Sequence, residues 1–130
     1  MYLEFDKRQV FKYEIIENIN FYISESSKGL KYISEKNNKE AMKTLKKLKK
    51  SLKNECNYYS NPNVYKFIKS NDINRIYFFG IKLAYSKLYK TYSYKYLYDN
   101  LFNIWDSISN NDMCLFLKDI KYLEKNMIKD

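Results

Sequence analysis

Apolar residues recur along this chain at helical spacing, and almost nowhere at the alternation of a strand. Phe11, Ile15, Ile19 and Ile23 fall four apart. That spacing predicts a first helix from about Asp6 to Ser24, ending in the polar stretch SESSKG, where Gly29 can supply a left-handed stop. A short helical piece, LKYISEK, follows. Asn38 is a suitable N-cap for a second helix with Glu40 in its first turn, and that helix should end before Asn61-Pro62, because the residue preceding proline is pushed out of the α region. Asn63 or Asp72 then restarts helix. Ile73, Tyr77, Gly80, Ala84 and Leu88 mark a third long helix to about Tyr92. Tyr94, Leu97, Leu101, Ile104 or Trp105, and Ile108 mark a fourth, stopping at the polar SNND. Asp112 can cap a fifth, with Met113, Phe116, Ile120, Leu123 and Met127 on one side. The expectation is an all-α fold, a single-domain bundle of about five helices with short connections spanning residues 1–130.

The second helix has the most lopsided pattern. At about 100° per residue, Ala41, Leu45, Leu48, Leu52, Cys56 and Tyr59 fall within a stripe roughly 80° wide. This is the 4-3-4 spacing of a coiled-coil seam, so the helix should bury one edge and stand proud of the bundle, and Leu45, Leu48 and Leu52 could serve self-association. Lys39, Lys43, Lys46, Lys47 and Lys50 lie on the opposite side, over roughly 16 Å of helix axis. Lys49 and Lys53 lie nearer the seam, where their methylene stems can cover apolar neighbours.

Net charge sharpens this picture. The chain carries +9, and 22 of its 24 basic residues are lysine in a composition also crowded with Asn, Ile, Tyr and Phe, the bias of an AT-rich genome. Overall basicity therefore says little about partners, and distribution says more. Residues 1–38 hold six basic and six acidic groups, residues 39–53 seven and one, and residues 54–130 eleven and eight. Two thirds of the excess lies in fifteen residues. Like charges at i,i+4, as in Lys39 with Lys43, Lys43 with Lys47 and Lys46 with Lys50, each cost an isolated helix about 0.2–0.5 kcal/mol. A phosphate backbone or an acidic protein surface is the natural counterpart of such a ridge. A solvated lysine face, kept because lysine is a good helix former, is the competing reading. Lysine offers point charge without arginine's fork, so contacts to RNA or single-stranded DNA should go to backbone and carry little sequence information.

The third helix is apolar on more than one side: Phe78, Tyr85, Tyr89 and Tyr92 form a second stripe about a quarter turn from the first. Tyrosines near lysines can stack unpaired bases, and Tyr89, Lys90 and Tyr92 are the candidates. Against that, a helix apolar all round is usually the central helix of a bundle, with Gly80 letting a neighbour approach closely.

Chemistry is constrained by what is missing. There is no histidine, hence no usual general base and no usual zinc ligand. Cys56 and Cys114 make no metal pair, and two glycines make no phosphate-cradling loop. Asp99 with Asp106 and Asp112 with Asp119 have the spacing of ordinary surface charges. No enzyme activity and no cofactor or metal are expected. The first twenty residues are too charged for a signal core, and the most apolar run, IYFFGIKLAY, is ten residues broken by Lys82. A cytoplasmic, reduced protein with no membrane span is expected.

The stretch IKLAYSKLYKTYSYKYLYDNL, followed by FLKDIKYLEKNM, resembles the C-terminal half of the small helical subunit of type III-A CRISPR effector complexes. The likeness covers residues 81–127, with a Lys-aliphatic-Ala-Tyr helix and a Tyr-aromatic-Glu type of step at Tyr122, Leu123 and Glu124. It departs at Lys87 to Lys90, which read KLYK where that family usually has Gly-Arg after the tyrosine helix. The resemblance implies a non-catalytic subunit lining a nucleic-acid channel. The alternative expectation is a small phage-encoded inhibitor, anti-CRISPR-like, or an immunity protein, acting by protein–protein binding.

Overall fold

The computed structural model describes residues 6–126, and every regular element among them is helical: α1 (Lys7–Ser34), α2 (Asn38–Tyr59), α3 (Pro62–Ser70), α4 (Arg75–Tyr89), α5 (Tyr94–Ser109) and α6 (Met113–Asn126). Each start is written in the sequence as a short polar side chain accepting a backbone N–H. Asp6 accepts from Arg8 N at 3.0 Å, Asn37 from Glu40 N at 3.4 Å and Asn61 from Asn63 N at 2.9 Å. Asn74 accepts from Ile76 N at 2.9 Å, Ser93 from Tyr96 N at 3.2 Å and Asp112 from Leu115 N at 3.0 Å. The cap of α2 is thus Asn37, one residue before the expected Asn38. The helix count among the described residues is six, because Asn61-Pro62 both ends α2 and starts α3: proline at the first helical position has no N–H to lose. Met127 lies outside the described residues.

The first helix is longer than its pattern suggests. It runs through SESSKG and LKYISEK without a break, and Gly29 sits inside it, buried. Gly29 is not a left-handed stop. The Tyr94 ring of α5 occupies the space where its Cβ would be, and the Tyr94 hydroxyl donates to the Ala41 carbonyl of α2, closing a three-helix junction. Ser26 and Glu25, polar by type, are buried on the same side, with Lys28 paired to Glu25 at 3.3 Å. The left-handed positions that end helices are held instead by Lys36 (φ 58°), Asp72 (φ 55°) and Asn111 (φ 55°). Each is followed by the six-to-one bond of a Schellman motif: Asn37 N to Tyr32 O at 2.8 Å, Ile73 N to Ile68 O at 3.0 Å and Asp112 N to Ser107 O at 2.8 Å.

Packing order differs from chain order. Five helices form a closed ring in the sequence α1, α2, α4, α6, α5 and back to α1, and α3 bridges α2 and α4. Ile15 and Ile19 of α1, Leu48 and Leu52 of α2, Ile81, Tyr85 and Leu88 of α4, Leu97 and Leu101 of α5 and Phe116 of α6 fill one core. In a ring each helix has two neighbours, which explains the two apolar stripes of α4. Tyr59 of α2 packs on Phe78 and Tyr85 with ring centres 5.5 and 5.6 Å apart, while Phe116 of α6 seats against Gly80. Helix α4 is therefore a member of the wall and not its centre, and Ile76 and Phe79 point outward, each nearly half exposed. Lys12 Nζ and the Tyr77 hydroxyl both donate to Asn111 Oδ1, at 3.2 and 3.3 Å, tying the α5–α6 turn to α1 and α4.

Candidate nucleic-acid interface

Helix α2 turns its seam inward between α1 and α4. Ala41, Leu45, Leu48, Leu52 and Tyr59 are buried and Cys56 is half-buried, with its thiol pushed up by burial. Leu45, Leu48 and Leu52 are thus spent on the chain's own core, which removes them as a surface for self-association. The outward side carries Lys39, Lys43, Lys46, Lys47 and Lys50, all exposed. Among the described residues none of the five makes an ion pair or a side-chain hydrogen bond. No ion pair among the described residues offsets the repulsion between them.

The residue that organises this surface is Lys49, which the sequence placed only as cover for apolar neighbours. Its ammonium donates to the Thr91 carbonyl at 2.9 Å and lies 4.0 Å from the Tyr92 ring centre and 4.9 Å from that of Tyr89. Partial burial lowers the Lys49 pKa below its ordinary value. The α4–α5 turn is therefore stapled to the middle of α2. Thr91 is buried and its hydroxyl accepts from Ser93 N at 3.2 Å, so the turn is ordered from within as well. Tyr92 is 74% exposed, Lys90 exposed and Tyr89 half-buried.

Tyr89, Lys90 and Tyr92 are thereby joined to the lysine helix, but not to all of it equally. On the helical wheel Lys53 and Lys46 stand about 40° and 60° from Lys49, and Lys39 and Lys50 about 80° and 100°, while Lys43 and Lys47 turn about 120° and 160° away. Lys46 and Lys53, at i−3 and i+4 from Lys49, are the nearest of these lysines around the helix to the stapled side. The only hint of this in the sequence was the placing of Lys49 and Lys53 at the seam's border; which helix covers that border is a tertiary matter.

No family model, curated protein or solved structure matches this chain. Among the described residues no three Cys, Asp or Glu side chains cluster as metal ligands, and no helix is long and apolar enough to cross a membrane. Asp119 departs from the surface-charge expectation: it is half-buried, accepts the Ser107 hydroxyl at 2.6 Å, and burial pushes its carboxyl up.

Proposed function

We propose that this chain is a non-enzymatic helical binding protein that holds the backbone of single-stranded nucleic acid on the outer face of α2, with Tyr92 as a stacking platform. The observation that carries this reading is the Lys49 staple, which sets the exposed Tyr92 against a helix whose outward lysines form no ion pair among the described residues. Basic groups that track phosphates next to an aromatic face that accepts any base are the recurrent features of sequence-tolerant single-strand binding. The resemblance of residues 81–127 to a CRISPR small subunit points the same way, toward a subunit of a ribonucleoprotein. Binding should follow the lysines and the ring, and vary little with base sequence.

A second reading, a small inhibitor or immunity protein that docks on another protein, is favoured by the outward Ile76 and Phe79 of α4 with Leu117 of α6, which line one apolar groove. One experiment separates the two. Labelled single-stranded RNA and DNA are titrated against the chain and against the variant with Lys39, Lys43, Lys46, Lys47 and Lys50 changed to Gln. Nucleic-acid binding predicts weaker affinity for all sequences alike, with the slope of log affinity against log salt reduced by roughly 0.7 per lost contact. Unchanged affinity and slope would refute it.

A further inference from the structure

Two contacts register the α4–α5 turn against α2. Lys49 Nζ donates to the Thr91 carbonyl, and the Tyr94 hydroxyl donates to the carbonyl of Ala41, further back along α2. Lys49 and Ala41 are about 12 Å apart along the helix, so residues 91–94 run alongside α2 over that length. The ring this arrangement leaves in solvent beside Lys49 is that of Tyr92. On the same side of α2 lies an apolar residue that the core does not use. Met42 stands about 20° from Lys49 around the helix and about 10 Å from it along the axis. It is 55% exposed, while Ala41 and Leu45 beside it are buried.

Lys53, Lys46 and Lys39 follow one another at a heptad interval, about 10.5 Å each, and stand about 40°, 60° and 80° from Lys49 around the helix. All three are exposed. Along the axis, the exposed groups on this side of α2 therefore come in the order Lys53, Tyr92, Lys46, Met42, Lys39. Cation and apolar group alternate over about 21 Å. A single nucleic-acid strand carries the same two features side by side, charge on its phosphates and apolar faces on its bases. At the roughly 3.4 Å between phosphates of one stacked strand, that length corresponds to about six nucleotides.

Resting on the single-strand reading above, we propose that the bound strand runs lengthwise along α2 beside the α4–α5 turn. Its phosphates meet Lys53, Lys46 and Lys39, and bases about three nucleotides apart lie on Tyr92 and Met42. Met42 thereby becomes a second base contact: its flexible, polarizable thioether adapts to any aromatic face. A strand crossing α2 at right angles would meet Tyr92 and the nearest lysines but neither Met42 nor Lys39. An acidic polypeptide would meet the lysines and leave both apolar groups without a flat partner.

The test is a fluorescence-anisotropy titration of the full chain with labelled oligothymidylates of three, six, nine and twelve nucleotides, beside labelled poly-L-glutamate. Affinity should climb steeply from three nucleotides to about six and then level, with a salt slope for the six-mer of roughly 2, from three phosphate contacts at about 0.7 each. Met42→Ala, at an exposed position and to a good helix former, should weaken six-mer binding roughly two- to tenfold with the salt slope and the unfolding transition unchanged. Lys39→Gln should weaken it and reduce the slope by roughly 0.7. Should Tyr92→Ala and Lys46→Gln weaken binding while Met42→Ala and Lys39→Gln do not, the strand crosses α2, which overturns the proposal and leaves the single-strand reading intact. Affinity rising evenly through twelve nucleotides overturns it in the same way. Failure of every oligonucleotide to bind saturably, or polyglutamate binding as tightly as the six-mer, overturns both.

Discussion

Lys49 of α2 holds its ammonium 4.0 Å from the centre of the Tyr92 ring, across the junction between the middle of one helix and the turn that follows another. The contact serves both stability and the candidate surface. Lys49→Met keeps the apolar stem and removes the hydrogen bond to Thr91 together with both ring contacts. A loss of about 1–2 kcal/mol in chemical denaturation is expected, along with faster hydrogen exchange in residues 90–93. An unchanged exchange rate there would show that the turn is ordered without the staple.

Position relative to Tyr92 should grade the lysines. Lys46→Gln with Lys53→Gln should weaken single-strand binding more than Lys43→Gln with Lys47→Gln, although each pair removes the same charge. Fluorescence anisotropy at two salt concentrations checks this, and equal losses would mean that the ridge acts only as diffuse charge. Tyr92→Ala should weaken binding by about 1–3 kcal/mol with little change in the salt slope, because stacking releases no counterions.

Gly29→Ala should destabilise by about 1–3 kcal/mol despite alanine's better helix propensity, since the new methyl overlaps the Tyr94 ring. In a Tyr94→Ala background the same change should become neutral or favourable. A double-mutant cycle by urea denaturation reads this coupling, and additivity would show that the contact is not a close one.

Lys36→Gly should stabilise by about 1 kcal/mol, because Lys36 adopts a left-handed conformation that costs a side-chain-bearing residue energy and costs glycine none. The gain at Asp72 should be smaller, as aspartate tolerates that region better. Thermal melts of the two variants give the comparison.

Glu55 is half-buried among Tyr22, Tyr59 and Tyr85, and burial raises its carboxyl above the ordinary 4.5. A raised folded-state pKa means that the folded chain holds this proton more tightly than the unfolded one. The ionised form is thus penalised at neutral pH, and the penalty disappears as pH falls through the raised pKa toward 4.5. Glu55→Gln should therefore melt higher than the parent at pH 7, and the difference should shrink on acidification.

Much of this protein was legible in its sequence, for physical reasons that act over short distances. Capping residues, the Asn61-Pro62 break and the i, i+3, i+4 pattern of Leu45, Leu48 and Leu52 act within one or two helical turns, so the all-helical class and the buried seam follow from them. The charge imbalance of residues 39–53 is likewise a property of one helix. Tertiary structure decided which helices meet. Gly29 reads locally as a stop and is instead a clearance for Tyr94, a residue 65 positions later. The wide apolar surface of α4 reads as a bundle centre, yet it serves two neighbours in a ring and leaves Ile76 and Phe79 outside. Lys49 and Tyr92 meet because α2 and α4 are adjacent in that ring. Contacts between helices depend on which faces dock, and helical periodicity says only that a face is apolar.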